Sequence, residues 1–80
     1  MNKQLTARQQ QLYDYAALYI AQHGKKPMYK QMRQEMGICN QSIFEILHYI
    51  EAKGWKMTDY GWIRIPDHLL EAHRERELYG

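Results

Sequence analysis

The positions of four glycines, at 24, 37, 54 and 61, constrain this chain more than any other feature, because they cut it into segments of helix or strand length with little loop between them. Ahead of the first glycine, Thr6-Ala7-Arg8-Gln9 has the form of a capping box. In that motif the threonine oxygen accepts from the Gln9 amide and the Gln9 side chain reaches back to the chain before it. Leu12, Tyr15, Ala16, Tyr19, Ile20 and His23 then recur at helical spacing and predict one buried face. Gly24 suits the left-handed position that ends a helix, and Pro27 delays the next one. A second helix is expected over 29–36, with Tyr29, Met32 and Met36 on one side and Lys30, Arg33 and Gln34 turned outward. Met28 stands at its start, where Ser, Thr or Asp would cap better. A third helix is expected over 40–53, with Ile43, Ile46, Leu47 and Ile50 as its inward stripe. Only Gly37-Ile38-Cys39 separates the two, which is the dimension of a helix-turn-helix.

After Gly54 the pattern changes period. Residues 55–57 and 62–65 read as short strands around a turn at 58–61, where Gly61 can take a positive φ. Pro66 stops the second strand, Asp67 is a good cap, and Leu69, Leu70, His73 and Glu77 predict a last helix with a thin apolar face. The expected fold is mainly α with a small β-hairpin: a winged helix-turn-helix, made of a three-helix core and a two-stranded wing, followed by a C-terminal helix. Residues 1–66 would form this domain and residues 67–80 a helical tail.

Composition removes most other possibilities. Eighty residues suffice for one core, so separate cofactor and substrate domains are excluded. A chain that is 45% hydrophobic and 25% charged is globular rather than disordered. One cysteine allows no internal disulfide, which suits a reducing compartment. The longest apolar-leaning stretch, 15–21, falls well short of the roughly 20 residues of a membrane span. The opening Met1-Asn2-Lys3-Gln4-Leu5 lacks the apolar core of a signal peptide. A cytoplasmic protein is expected. The histidines at 23, 48, 68 and 73 have no ligand spacing, and no phosphate loop, nucleophile elbow or catalytic carboxylate pair is present. Neither metal, cofactor nor enzymatic activity is expected.

The chemistry lies in what the third helix turns outward. With Ile43, Leu47 and Ile50 facing the core and Ile38 plugging the turn, Asn40, Gln41, Phe44, Glu45 and His48 emerge together as one face suited to a DNA groove. Asn40 and Gln41 can pair with adenine, Glu45 can accept from cytosine, and Phe44 can pack on a thymine methyl. No Lys or Arg occurs between Cys39 and Ala52, so phosphate contacts must come from beside this helix. The candidates are Lys25, Lys26, Lys30, Arg33 and Ser42 near the second helix and turn, and Lys56 and Arg64 on the hairpin; Lys25-Lys26 also reads as a solvated loop. Tyr60 would sit at the wing tip, as a turn residue or a contact to the DNA backbone or minor groove. Tyr13, Tyr15, Tyr19, Met28, Met32 and Met36 read as packing, and Trp55 and Trp62 as the cover of the hairpin's inner face. Cys39 stands at a cap position; it reads as a buried, inert thiol, with redox sensing as the alternative.

Leu5-Thr6-Ala7-Arg8-Gln9-Gln10, Gly24 with Pro27, the Met36-Gly37 turn, and Ala52-Lys53-Gly54 before the hairpin together resemble the DNA-binding domain of LexA-type repressors, over roughly residues 5–65. The resemblance implies a winged helix that binds operator DNA as a dimer and represses transcription, and makes 40–53 the base-reading helix. The family's Asn and paired Glu positions fall on Gln41, Phe44 and Glu45, so an aromatic replaces one glutamate. The self-cleaving peptidase domain of longer family members has no counterpart in these residues, and its activity and dimer surface are not implied.

The expected partner is therefore double-stranded DNA, bound by a small bacterial or phage regulator that is nucleoid-associated when on DNA. Pairing of two copies would use Leu69, Leu70, Leu78 and Tyr79 in the tail. The cation-free third helix, with Phe44 and Tyr49 outward, also suits a protein partner, which would make the domain an anti-repressor or an adaptor in a replication or repair assembly.

Overall fold

The computed structural model describes residues 4–69, and its elements follow the glycines. Helix α1 spans Ala7–His23, α2 Tyr29–Met36 and α3 Asn40–Ala52; strands β1, Trp55–Thr58, and β2, Gly61–Arg64, close the order. Thr6 caps α1 as its motif predicts. Its Oγ1 accepts from the Gln9 N–H at 3.3 Å, and the Gln9 Oε1 accepts from the Thr6 N–H at 3.1 Å. Met28 gives α2 no side-chain cap. The entry is nonetheless half satisfied, because the Met28 N–H donates to Gln31 Oε1 at 2.7 Å.

Between α2 and α3 the chain reverses over Gly37, Ile38 and Cys39. Gly37 sits at φ +69°, in the left-handed region, and its N–H donates to the Arg33 carbonyl at 2.7 Å. Ile38 is half-buried and packs against the core, as the plug of the turn. Cys39 is the N-cap of α3, but it is exposed rather than buried. The cap residue of a helix that crosses the core surface lies at its solvent end, which corrects the expectation of an occluded thiol.

The core is assembled from all three helices: Leu12, Ala16 and Ile20 of α1, Met32 of α2, and Ile43, Ile46 and Ile50 of α3 are buried. Leu47, expected on the same stripe, is only half-buried. His23 is exposed, a correction to the predicted face of α1. It is the last residue of the helix, past the end of the core, and its ring lies against Tyr19 with centroids 4.2 Å apart. Met28 is exposed too, so of the three methionines only Met32 is fully buried.

The hairpin is antiparallel, with Trp55 opposite Arg64, Lys56 opposite Ile63, Met57 opposite Trp62 and Thr58 opposite Gly61. Its strands extend one residue closer to the turn than predicted, so only Asp59 and Tyr60 lie between them. That tight reversal needs Gly61 at φ +131°, and Thr58 Oγ1 braces it by accepting from the Tyr60 N–H at 3.1 Å. Alternation along the strands turns Trp55, Met57 and Trp62 toward the helices. Tyr13 stacks on Trp62 at 4.7 Å and meets Trp55 edge-on at 5.7 Å, and the Trp62 indole donates to the Tyr13 carbonyl at 2.9 Å. The wing is thereby fastened to α1, and its tip to the α1–α2 loop through Asp59, which accepts from the Lys26 N–H at 3.1 Å. Asp67 opens a helical turn at 67–69; Leu70, Leu78 and Tyr79, and with them most of the expected tail helix, lie outside the described residues. Among the described residues no helix is long and apolar enough to cross a membrane.

Candidate nucleic-acid interface

The orientation of α3 follows from its amphipathy. Burying Ile43, Ile46 and Ile50 leaves the opposite face to solvent, and Asn40, Gln41, Phe44 and Glu45 are all exposed there. Phe44 retains 59% of its surface, a large apolar area for a residue with no packing need to be there. His48, one turn on, is half-buried, and its ring lies nearly parallel to Phe44 at 6.3 Å and edge-on to Tyr49 at 6.0 Å. The five residues selected for base contact therefore form one continuous strip that begins at the helix N-terminus. Ser42 lies off this strip: it is half-buried, with its Oγ 3.4 Å from Cys39 Sγ. The Ser42 hydroxyl, more than any other group, lowers the Cys39 thiol below its ordinary pKa, with the nearby backbone N–H groups of Ser42 and Gln41 adding to it.

The proposed phosphate-binding cations do not form a single cluster. Lys25, Lys26 and Lys56 come together around a cleft of about 650 Å³ between the α1–α2 loop, α3 and the wing. Its floor is apolar, with Met32, Met57 and Trp62, and Glu51 stands at its α3 side. Lys30 and Arg33 are exposed on α2. Arg64 stands apart: the hairpin register puts it across from Trp55, and its guanidinium carbon lies 5.6 Å from the centre of that ring. Lys56 projects from the opposite face of the hairpin, beside Ile63. Tyr60, at 97% exposure, is the tip of the wing.

Three residues near this surface were not among the site residues expected from the sequence. Tyr29, Leu47 and Glu51 line both the larger cleft and a second of about 280 Å³ that reaches Phe44 and His48, so they join the reading strip to the lysine-rimmed cleft. Helical spacing marks Leu47 and Tyr29 as inward, but Leu47 is half-buried and Tyr29 exposed, so both stand at the rim of the clefts. Among the described residues no three His, Cys, Asp or Glu side chains converge.

The family model of the LexA DNA binding domain matches residues 2–64, from the capping segment through the second strand of the wing. The chain belongs to that family, whose domain is a DNA-binding module. No curated protein and no solved structure matches it.

Proposed function

We propose that this protein is a sequence-specific binder of double-stranded DNA and a small transcriptional regulator, a repressor of bacterial or phage type, that inserts α3 in the major groove. The observation that carries the reading is the exposed strip of Asn40, Gln41, Phe44 and Glu45 on the second helix of a helix-turn-helix. Every one of these side chains can contact a base edge, and none is needed to hold the core. Lys25, Lys26, Lys30, Arg33 and Lys56 supply phosphate contacts on the flanks, with Ser42 at the helix start and Tyr60 at the wing tip. One module of this size makes few base contacts, so two copies on a repeated half-site are proposed, paired through the tail of residues 67–80 with Leu69, Leu70, Leu78 and Tyr79. Such a protein acts in the cytoplasm, at the nucleoid. Selection of bound duplexes from a random pool tests the reading: an enriched motif in two spaced copies supports it, and no duplex binding at low salt refutes it.

A second reading has one observation in its favour. Phe44, at 59% exposure, lines the smaller cleft with Tyr29, Leu47, His48 and Glu51, and Tyr49 is also exposed, at 56%, on a helix without Lys or Arg. A winged-helix protein-interaction module, an anti-repressor or a replication or repair adaptor, would use that surface to seat a partner. Phe44→Asp discriminates: it would abolish capture of such a partner, and a partner complex left intact by the change counts against this reading.

A further inference from the structure

We infer that the protein distinguishes DNA by the methylation state of a base amine, and that Glu45 is the residue that does so. The inference rests on α3 being the groove-facing helix. Glu45 is exposed on the outward strip, and its carboxylate has no ion-pair or hydrogen-bond partner among the described residues. Residues 39–52 hold no Lys or Arg, so no cation on α3 offsets its charge. A carboxylate carried between phosphates is repelled by them, and it sheds water as the groove closes over it. Both costs are recovered only if a donor meets it on the groove floor.

An ionised carboxylate accepts hydrogen bonds and donates none. On the floor of the major groove the donors are the adenine N6 and cytosine N4 amines; guanine offers two acceptors there and thymine an acceptor and a methyl. Glu45 is therefore satisfied only over an adenine or a cytosine. One hydrogen of that amine is held by the Watson–Crick partner, and the other points into the groove. A single methyl group on the nitrogen of a paired base takes the second place. The carboxylate then meets an apolar group where its donor had been. The neighbours on the strip tolerate such a change better. The Asn40 and Gln41 amides can turn to present either a donor or an acceptor, and Phe44 packs on methyl groups.

The full-length chain is titrated with the best duplex from an unmodified random pool, at one fixed salt concentration. Each adenine is then replaced in turn by N6-methyladenine, and each cytosine by N4-methylcytosine or by 5-methylcytosine, which keeps its amine. The expected result is one position per half-site at which amine methylation weakens binding roughly 10- to 100-fold, the range of a good base contact. Where that base is cytosine, 5-methylation has a much smaller effect. Glu45→Ala, a change at an exposed position that circular dichroism can verify as folded, should bind methylated and unmethylated duplexes alike. A duplex that binds well with no sensitive position overturns the inference, as does a penalty that survives undiminished in Glu45→Ala. Failure to recover any bound duplex instead overturns the DNA-reading itself, and the two failures are thus distinct.

Discussion

Gln9 accepts two hydrogen bonds through one side-chain oxygen, and neither partner lies on the strip proposed to read DNA. It is buried, and its Oε1 accepts from the Thr6 N–H at 3.1 Å and from the Lys53 ammonium at 2.7 Å. Lys53 also donates to the Gln4 carbonyl at 2.8 Å. Thr6, Gln9 and Lys53 are among the residues that carry the family resemblance, and the structure joins them in one network that ties the start of α1 to the end of α3. The cap was legible because its partners are three residues apart. The Lys53 link was not, because it spans 44 residues and depends on how two helices cross. Gln9→Ala leaves the Thr6 N–H and the half-buried Lys53 ammonium without this acceptor and should cost about 1–3 kcal/mol in urea unfolding. Gln9→Glu keeps an acceptor for both and should restore most of that loss at neutral pH. Cys39 supports a second prediction. With the Ser42 hydroxyl stabilising its thiolate, an alkylating reagent at pH 7 should modify it faster than an unstructured cysteine, and Ser42→Ala should slow the reaction. A rate indifferent to that substitution would show that the hydroxyl has no such effect.

Helix and strand periods revealed the elements, but not what each face meets. On α3, the apolar spacing separated Ile43, Ile46 and Ile50 from the outward strip correctly, because a 13-residue amphipathic helix has only one way to lie on a core. The hairpin's register was legible too: each strand runs one residue further into the turn than expected, which leaves Met57 opposite Trp62 and Trp55 opposite Arg64. A shift of one residue moves every side chain to the other face. Lys56 and Arg64 were grouped as phosphate contacts by charge alone, whereas that same register puts them on opposite faces, with Arg64 against Trp55. The two should separate in a salt titration of duplex binding. Lys56→Ala should lower the slope of log affinity against log salt by about 1, as loss of one phosphate contact does. Arg64→Ala should change that slope less, and instead lower stability by about 0.5–1 kcal/mol through the lost ring contact. Equal slope changes for the two variants would mean that Arg64 leaves Trp55 to reach a phosphate.

The net charge of +2 conceals an uneven division along the chain. Residues 1–66 carry 9 cations and 5 anions, a balance of +4, and residues 67–80 carry 2 and 4, a balance of −2. A basic domain with an acidic tail has two opposed tendencies on DNA, because the tail repels the phosphates that the domain attracts. Under the proposed pairing, the tail offsets that cost by holding two domains on adjacent half-sites. Among the described residues the fold closes before the tail begins: the Ile65 N–H donates to the Gly54 carbonyl at 2.7 Å, and the buried hydrophobic side chains of the core all lie between Leu12 and Ile50. A chain ending at residue 66 should therefore melt within a few degrees of the 80-residue chain. On a duplex with one half-site it should bind at least as tightly at low salt, since four anions leave with only two cations. The proposed pairing predicts that the 80-residue chain binds a duplex with two half-sites more tightly than one with a single site and sediments as a dimer, and that the shortened chain does neither. If the shortened chain keeps that advantage, the pairing surface belongs to the winged domain, and the acidic tail acts only to weaken non-specific binding.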